Sequence, residues 1–113
     1  MLRYGAQAMA KRARTERREA ARDAEKVARS RIKLASLEPG GAPDRPIEVT
    51  SASIIEPHAS SMPCAACGAP NVRVEEHVAL TLEGRRLRVT NVVCPRCGSR
   101  REVFFRIGTV LPS

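Results

Sequence analysis

Cys64-Ala65-Ala66-Cys67-Gly68 and, further on, Cys94-Pro95-Arg96-Cys97-Gly98 decide the reading of this chain, together with the segment between them. Twenty-six residues separate Cys67 from Cys94. Two thiolates three residues apart can grip one metal ion from a tight turn. The backbone amides after the first cysteine point at its sulfur, and glycine after the second tolerates the positive φ that such a turn wants. Two turns of this kind supply four sulfurs and close a tetrahedron. The spacing therefore predicts one metal ion held by Cys64, Cys67, Cys94 and Cys97.

The intervening residues give an independent check. A two-residue turn at Glu83-Gly84 would set Leu80 opposite Leu87, Val78 opposite Val89 and Val74 opposite Val93. In that register most large apolar groups of both strands fall on a single face, as a half-buried hairpin requires. Glu76 opposite Asn91 is the exception on that face. The reverse face pairs His77 with Thr90 and Ala79 with Arg88, so His77 is expected to point to solvent. After Cys97, Val103, Phe105 and Ile107 alternate onto one side of a third strand. Phe104 then faces the other way, either packing against residues 47–55 or standing exposed beside Arg106 as a contact for a partner or a base.

With these elements in place, residues 64–107 resemble a zinc ribbon, the module found in transcription factors, RNA polymerase subunits, ribosomal proteins and many adaptors. The resemblance covers about 44 of the 113 residues. It implies a small β fold, a three-stranded antiparallel sheet, around one structural Zn2+. In transcription elongation factors of this class an Asp-Glu pair at the hairpin tip reaches the polymerase active centre. Here the tip is Leu82-Glu83-Gly84-Arg85-Arg86, with one acid and two arginines, which argues against stimulation of transcript cleavage.

The chemistry of the cysteines agrees with zinc better than with the alternatives. A disulfide framework suits a secreted chain, and Met1–Ala10 lacks the basic and apolar regions of a signal peptide. Redox CxxC pairs usually open a helix after a strand, whereas these sit in Gly-terminated turns. A sheet with two Phe and no Trp buries little apolar area, and structural zinc contributes roughly 10–16 kcal/mol in small sites. Four cysteines fill the coordination shell, so metal catalysis is not expected. His58 and His77 are not needed as ligands. Glu75 and Glu76 are adjacent in a strand and are expected to face opposite ways. No nucleophile triad or phosphate-binding glycine loop is present, so the chain does not read as an enzyme.

Outside this module the composition changes. Of the formal net charge of +8, residues 1–37 carry +7, from eleven Lys or Arg against four acids. From about Ala6 to Leu37 the chain has neither Pro nor Gly, and Ala, Arg, Glu and Lys dominate, all good helix formers. Pro39-Gly40-Gly41 ends the run. Residues 1–38 thus read as a long basic α-helix or a disordered basic tail. Residues 39–63 hold five of the eight prolines and read as a linker, with one short strand or a clamp within Ile47–Ile55. Residues 64–107 are the four-cysteine module and residues 108–113 a tail.

A net positive charge favours an anionic partner. The expected function is noncatalytic binding of nucleic acid or of a nucleoprotein complex through the N-terminal segment. Arg12, Arg14, Arg17 and Arg18 are the phosphate contacts, assisted by Arg85 and Arg86 at the hairpin tip. With so few aromatics, a row of base-stacking rings is excluded. The other reading is a protein-interaction adaptor, with the four-cysteine module as scaffold and the helix docking on a partner. No apolar run approaches the roughly 20 residues of a membrane helix, and the chain reads as cytoplasmic.

Overall fold

The computed structural model describes residues 2–108, with side chains from residue 12 onward. The tail expected at 108–113 lies outside the described residues but for Gly108. Helix α1 runs Leu2–Leu37, and strand β1 is Ile47–Val49. A 3-10 turn at Ala52–Ile54 leads into the short helix α2, Ile55–Ser61. Strands β2 (Arg73–Leu82), β3 (Arg85–Val93) and β4 (Arg100–Ile107) follow.

Helix α1 stops where Pro39-Gly40-Gly41 would stop it. Gly40 takes φ +88°, a conformation that L side chains rarely adopt. There its carbonyl accepts the Phe104 amide at 2.8 Å. A methyl group at this position would lie 2.7 Å from Ile47 Cδ1 and 3.1 Å from Val103 Cγ1. The chain end of the helix is thereby tied to the flank of β4.

The sheet has four strands and mixed pairing, in the order β1-β4-β3-β2, which corrects the three-stranded antiparallel sheet expected from the sequence. Strands β2, β3 and β4 do pair antiparallel. The addition is β1, parallel to β4, with Ile47 opposite Phe105 and Val49 opposite Ile107. An Arg106–Glu48 ion pair and the Gly108 amide on the Val49 carbonyl, 2.8 Å, fasten this join. A strand of three residues carries little pattern in sequence, and its partner lies far along the chain.

The hairpin keeps the expected register from Leu82–Arg85 to Glu76–Asn91, with Leu80 on Leu87, Val78 on Val89 and His77 on Thr90. A β-bulge between Val74 and Glu76 then shifts it by one, so Val74 meets Val92 rather than Val93. One extra residue in a strand resets the alternation of faces. Val74 joins the main core through this shift. Glu75 and Glu76 line one cleft with Asn91, Arg100 and Glu102 instead of facing opposite ways. They are held separately there, Glu75 by Arg100 at 3.2 Å and Glu76 by Asn91 at 3.1 Å.

Val103 and Phe105 face the main core as expected, but the hairpin strands turn to it the face opposite to the one expected, with Leu87 and Val89 in a separate cluster. In the main core Thr90, Val92, Val103 and Phe105 pack against Val49, Ile55, Ala59 and the base of the first cysteine turn. Helix α2 supplies Ile55 and Ala59. Pro57 is tolerated because it sits in the first helical turn, where its missing N–H has no partner to lose. His77 consequently is covered, its side chain only 14% exposed, with Nδ1 3.9 Å from Glu56. The other face holds a smaller cluster of Leu87, Val89 and Phe104. Their cross-strand neighbours Val78 and Leu80 remain 38% and 41% exposed. Phe104 is therefore not a surface aromatic; it clusters with Leu87 and Val89, while Val49 and Ile55 belong to the main core. Val103, Phe104 and Phe105 are all buried, as befits a central strand covered on both sides.

Candidate metal centre

The two cysteine turns are near copies of each other. In the first, the Cys64 amide donates to the Ala69 carbonyl at 2.8 Å and the Gly68 amide to the Cys64 carbonyl at 3.0 Å. In the second, the Cys94 amide donates to Ser99 at 2.9 Å and the Gly98 amide to Cys94 at 2.8 Å. The closing glycines have φ +79° and +77°. The amides of Cys67 and Cys97 point at the sulfurs of Cys64 and Cys94, at 3.5 and 3.4 Å. Such amides stabilise negative charge on sulfur.

The hairpin brings the two turns together. Strand β3 delivers Cys94 directly, and the Val72 amide, bonded to the Ser60 carbonyl at 3.1 Å, anchors the segment between the first turn and β2 to the end of α2. All four Sγ atoms lie within 4.8 Å of one another. Cys64 is 3.6 Å from Cys97, and Cys67 is 3.6 Å from Cys94. Thiolates about 2.3 Å from a central ion, the zinc–sulfur bond length, stand about 3.8 Å apart in a tetrahedron. A disulfide needs about 2.05 Å, and all four cysteines are free. The donor set thus fits a metal ion. Among the described residues, these four are the one group of His, Cys, Asp or Glu gathered tightly enough to hold one.

The local field is set by the same turns. The Cys97 amide draws the Cys94 thiol down to about 6 against the cost of burial. Burial opposes ionisation of Cys64, yet the amides of Cys67 and Ala66 hold it below its ordinary value. The Ser99 amide favours the Cys97 thiolate, but burial and the thiols of Cys64, Cys67 and Cys94 push Cys97 up to about 12. Four sulfurs without an ion compete for negative charge, which a divalent cation would relieve.

Two arginines that the sequence did not single out stand at the first turn. Arg31 of α1 reaches Gly68, where a Cβ would come within 2.8 Å of its Nη1. Arg101 of β4 is half buried, which lowers its pKa, while Glu38 and Cys64 oppose that shift. Neither has a spacing signature. Arg31 lies 33 residues from Cys64, and only the packed helix end brings it close.

The histidines stay apart from the cysteines. His58 packs edge-on against Phe105, with ring centroids 5.6 Å apart. Arg12, Arg14, Arg17 and Arg18 lie exposed along α1, and Arg85 and Arg86 are exposed at the start of β3. The tip is about 30 Å along β3 from Cys94, at roughly 3.4 Å per residue. Arg85 and Arg86 therefore stand at the end of β3 remote from the cysteine turns. Among the described residues no helix is long and apolar enough to cross a membrane. In comparisons with known proteins, the chain matches no family model, no curated protein and no solved structure.

Proposed function

We propose that the protein is a zinc-ribbon-like, noncatalytic module that binds nucleic acid or a nucleoprotein complex through its basic helix. The observation that carries the reading is the separation of two parts. A 36-residue helix carries most of the net positive charge, with its described arginines and lysines exposed. Its C-terminal end is joined, through Gly40 and Arg31, to a sheet that carries the four cysteines at one end. Zinc suits an all-sulfur tetrahedral donor set. With four protein ligands it has no open position for a substrate, so its part is to hold the two turns together. The chain's own residues do the rest: the amides of Cys67 and Cys97 stabilise the thiolates, and Gly40 and Arg31 fix the helix end beside the first turn.

Phosphate neutralisation by Lys and Arg drives this kind of binding, and it weakens steeply with salt. An electrophoretic shift titrated against salt tests it. Retention at low salt with a steep decline supports the reading; no retention at any salt overturns it.

A second reading is favoured by one observation. Val27, Leu34 and Leu37 are large apolar groups more than half exposed on α1, as they would be if the helix docked on a protein. In that adaptor reading the partner resists nuclease treatment and is lost when Val27 and Leu34 become polar.

A further inference from the structure

The helix sorts its charges by face, and that sorting identifies the surface and its occupant. At about 100° per residue, Arg14, Arg18, Arg22, Lys26, Arg29 and Lys33 fall within about 120° of one another around α1. A single acid, Glu25, shares that arc. Glu16, Glu19 and Asp23 cluster in a separate arc with Arg12 among them. Arg17 and Arg31 lie on a third side, with Ala13, Ala20, Ala24 and Ala28. Over residues 12–33 the arginines and acids off the stripe cancel, three against three, so the whole net charge of this stretch sits on the stripe.

The stripe is free to act. Its six cations are exposed. Among the described residues none has a carboxylate at ion-pair distance. At the end of α1 the contact with the sheet, where Ile32 and Ala35 line a hollow with Ala65 and Phe104, borders one edge of the stripe. Ile32 shares the heading of Arg14 but lies about 27 Å further along the helix at 1.5 Å per residue. From Arg14 to Lys33 the stripe is about 28 Å long at 1.5 Å per residue.

We infer that this stripe lies along the phosphates of duplex DNA, in or at the rim of the major groove, without reading sequence. Charge complementarity calls for a polyanion, since the partner must meet a continuous row of cations. Single strands are disfavoured because both phenylalanines are buried, leaving no Phe ring for bases to stack on. Between duplexes, an α-helix about 10–12 Å across fits the B-form major groove, about 12 Å wide, whereas the A-form groove is too narrow. Three acids on another arc fix which side of the helix meets the backbone, because they would be repelled from it.

This inference rests on the nucleic-acid reading above, and the experiment separates the two. Fluorescence anisotropy of a labelled mixed-sequence 20-base-pair DNA is followed against the full-length protein at several salt concentrations. Two charge-matched variants are compared, Arg18→Gln/Arg22→Gln on the stripe and Arg45→Gln/Arg73→Gln, also exposed, off it. Gln keeps helix propensity, and circular dichroism verifies that both variants stay helical. The stripe pair should lose on the order of tenfold affinity at 0.15 M salt and flatten the log–log salt slope by about 2. The off-stripe pair should leave both nearly unchanged. Equal losses in the two variants overturn the stripe and leave the nucleic-acid reading standing. Tighter binding of the wild type to single strands or to duplex RNA overturns the duplex-DNA assignment alone. No binding by the wild type to any of these defeats both.

Discussion

Phe104 donates its backbone amide to the carbonyl of Gly40 at 2.8 Å, which ties the turn that follows α1 to strand β4. This tie depends on Gly40 holding φ +88° in a space already filled by Ile47 and Val103. Gly40→Ala should therefore destabilise the protein by about 1–3 kcal/mol, combining backbone strain with overpacking. Thermal unfolding followed by circular dichroism measures it. An unchanged midpoint would mean that the helix junction contributes nothing to the fold.

The metal should be the main support of the sheet. Purified protein is expected to carry one zinc per chain by elemental analysis. Cys94→Ser should lose both the metal and the dispersed amide spectrum of β2, β3 and β4. A dispersed spectrum after full chelation would refute the dependence.

Acid should release the metal, because protons and metal compete for the same thiolates. Binding is strongest at high pH and is lost as pH falls. The Cys94 thiol, lowered to about 6, is ionised at neutral pH, while Cys97, about 12 without metal, is protonated there. A chelating dye titrated downward from pH 8 should report zinc release that is complete before general acid unfolding of the long helix. Release that increases with pH would contradict this order.

Truncation should distinguish two boundaries. A chain starting at Glu38 retains Gly40 and the loop residues Pro43 and Asp44, which line a hollow with Leu82 and Leu87. That chain should fold and bind metal. A chain starting at Ile47 lacks the Gly40 carbonyl and this cover, and should unfold at a lower temperature. Equal stability of the two would show that residues 38–46 act only as a tether.

His77 offers a test of burial. Its Nε2 is enclosed with no hydrogen-bond partner among the described residues. An unpaired buried polar group costs about 1–3 kcal/mol. His77→Leu should leave stability unchanged or raise it, as read from the urea midpoint. A loss above about 2 kcal/mol would instead mean that this imidazole makes a bond its surroundings conceal.

Local signals in the sequence carried the hairpin and the cysteine turns. The Glu83-Gly84 turn and the alternation of Val78, Leu80, Leu87 and Val89 set a register that the strands keep as far as Glu76. The cysteine spacing with its trailing glycines brought four sulfurs together. Three features were hidden because their causes are nonlocal. The bulge at Glu75 leaves no mark in a stretch where charged and apolar residues already alternate loosely. Helix α2 was masked by Pro57 and by the β-branched pair Ile54-Ile55, which read as extended. The hairpin face that meets the core depends on α2, which the sequence does not signal, so the pattern alone turns His77 to solvent and Val89 to the main core, whereas β4 shows its core residues Val103 and Phe105 by plain alternation. The Arg31 and Arg101 neighbours of the first turn follow from packing alone.

The parallel join of β1 to β4 has a kinetic consequence. Its Glu48–Arg106 pair spans 58 residues, whereas the hairpin closes between Leu82 and Arg85. Loop-closure entropy grows with such a span, and contacts of long range form late. During synthesis Ile47–Val49 leaves the ribosome well before Phe105 exists, so it must wait unpaired while the hairpin forms. β1 is then the last strand to join and the first to leave. Fraying there would free the Gly108 end and loosen the cover over Phe105 before any other part of the sheet opens.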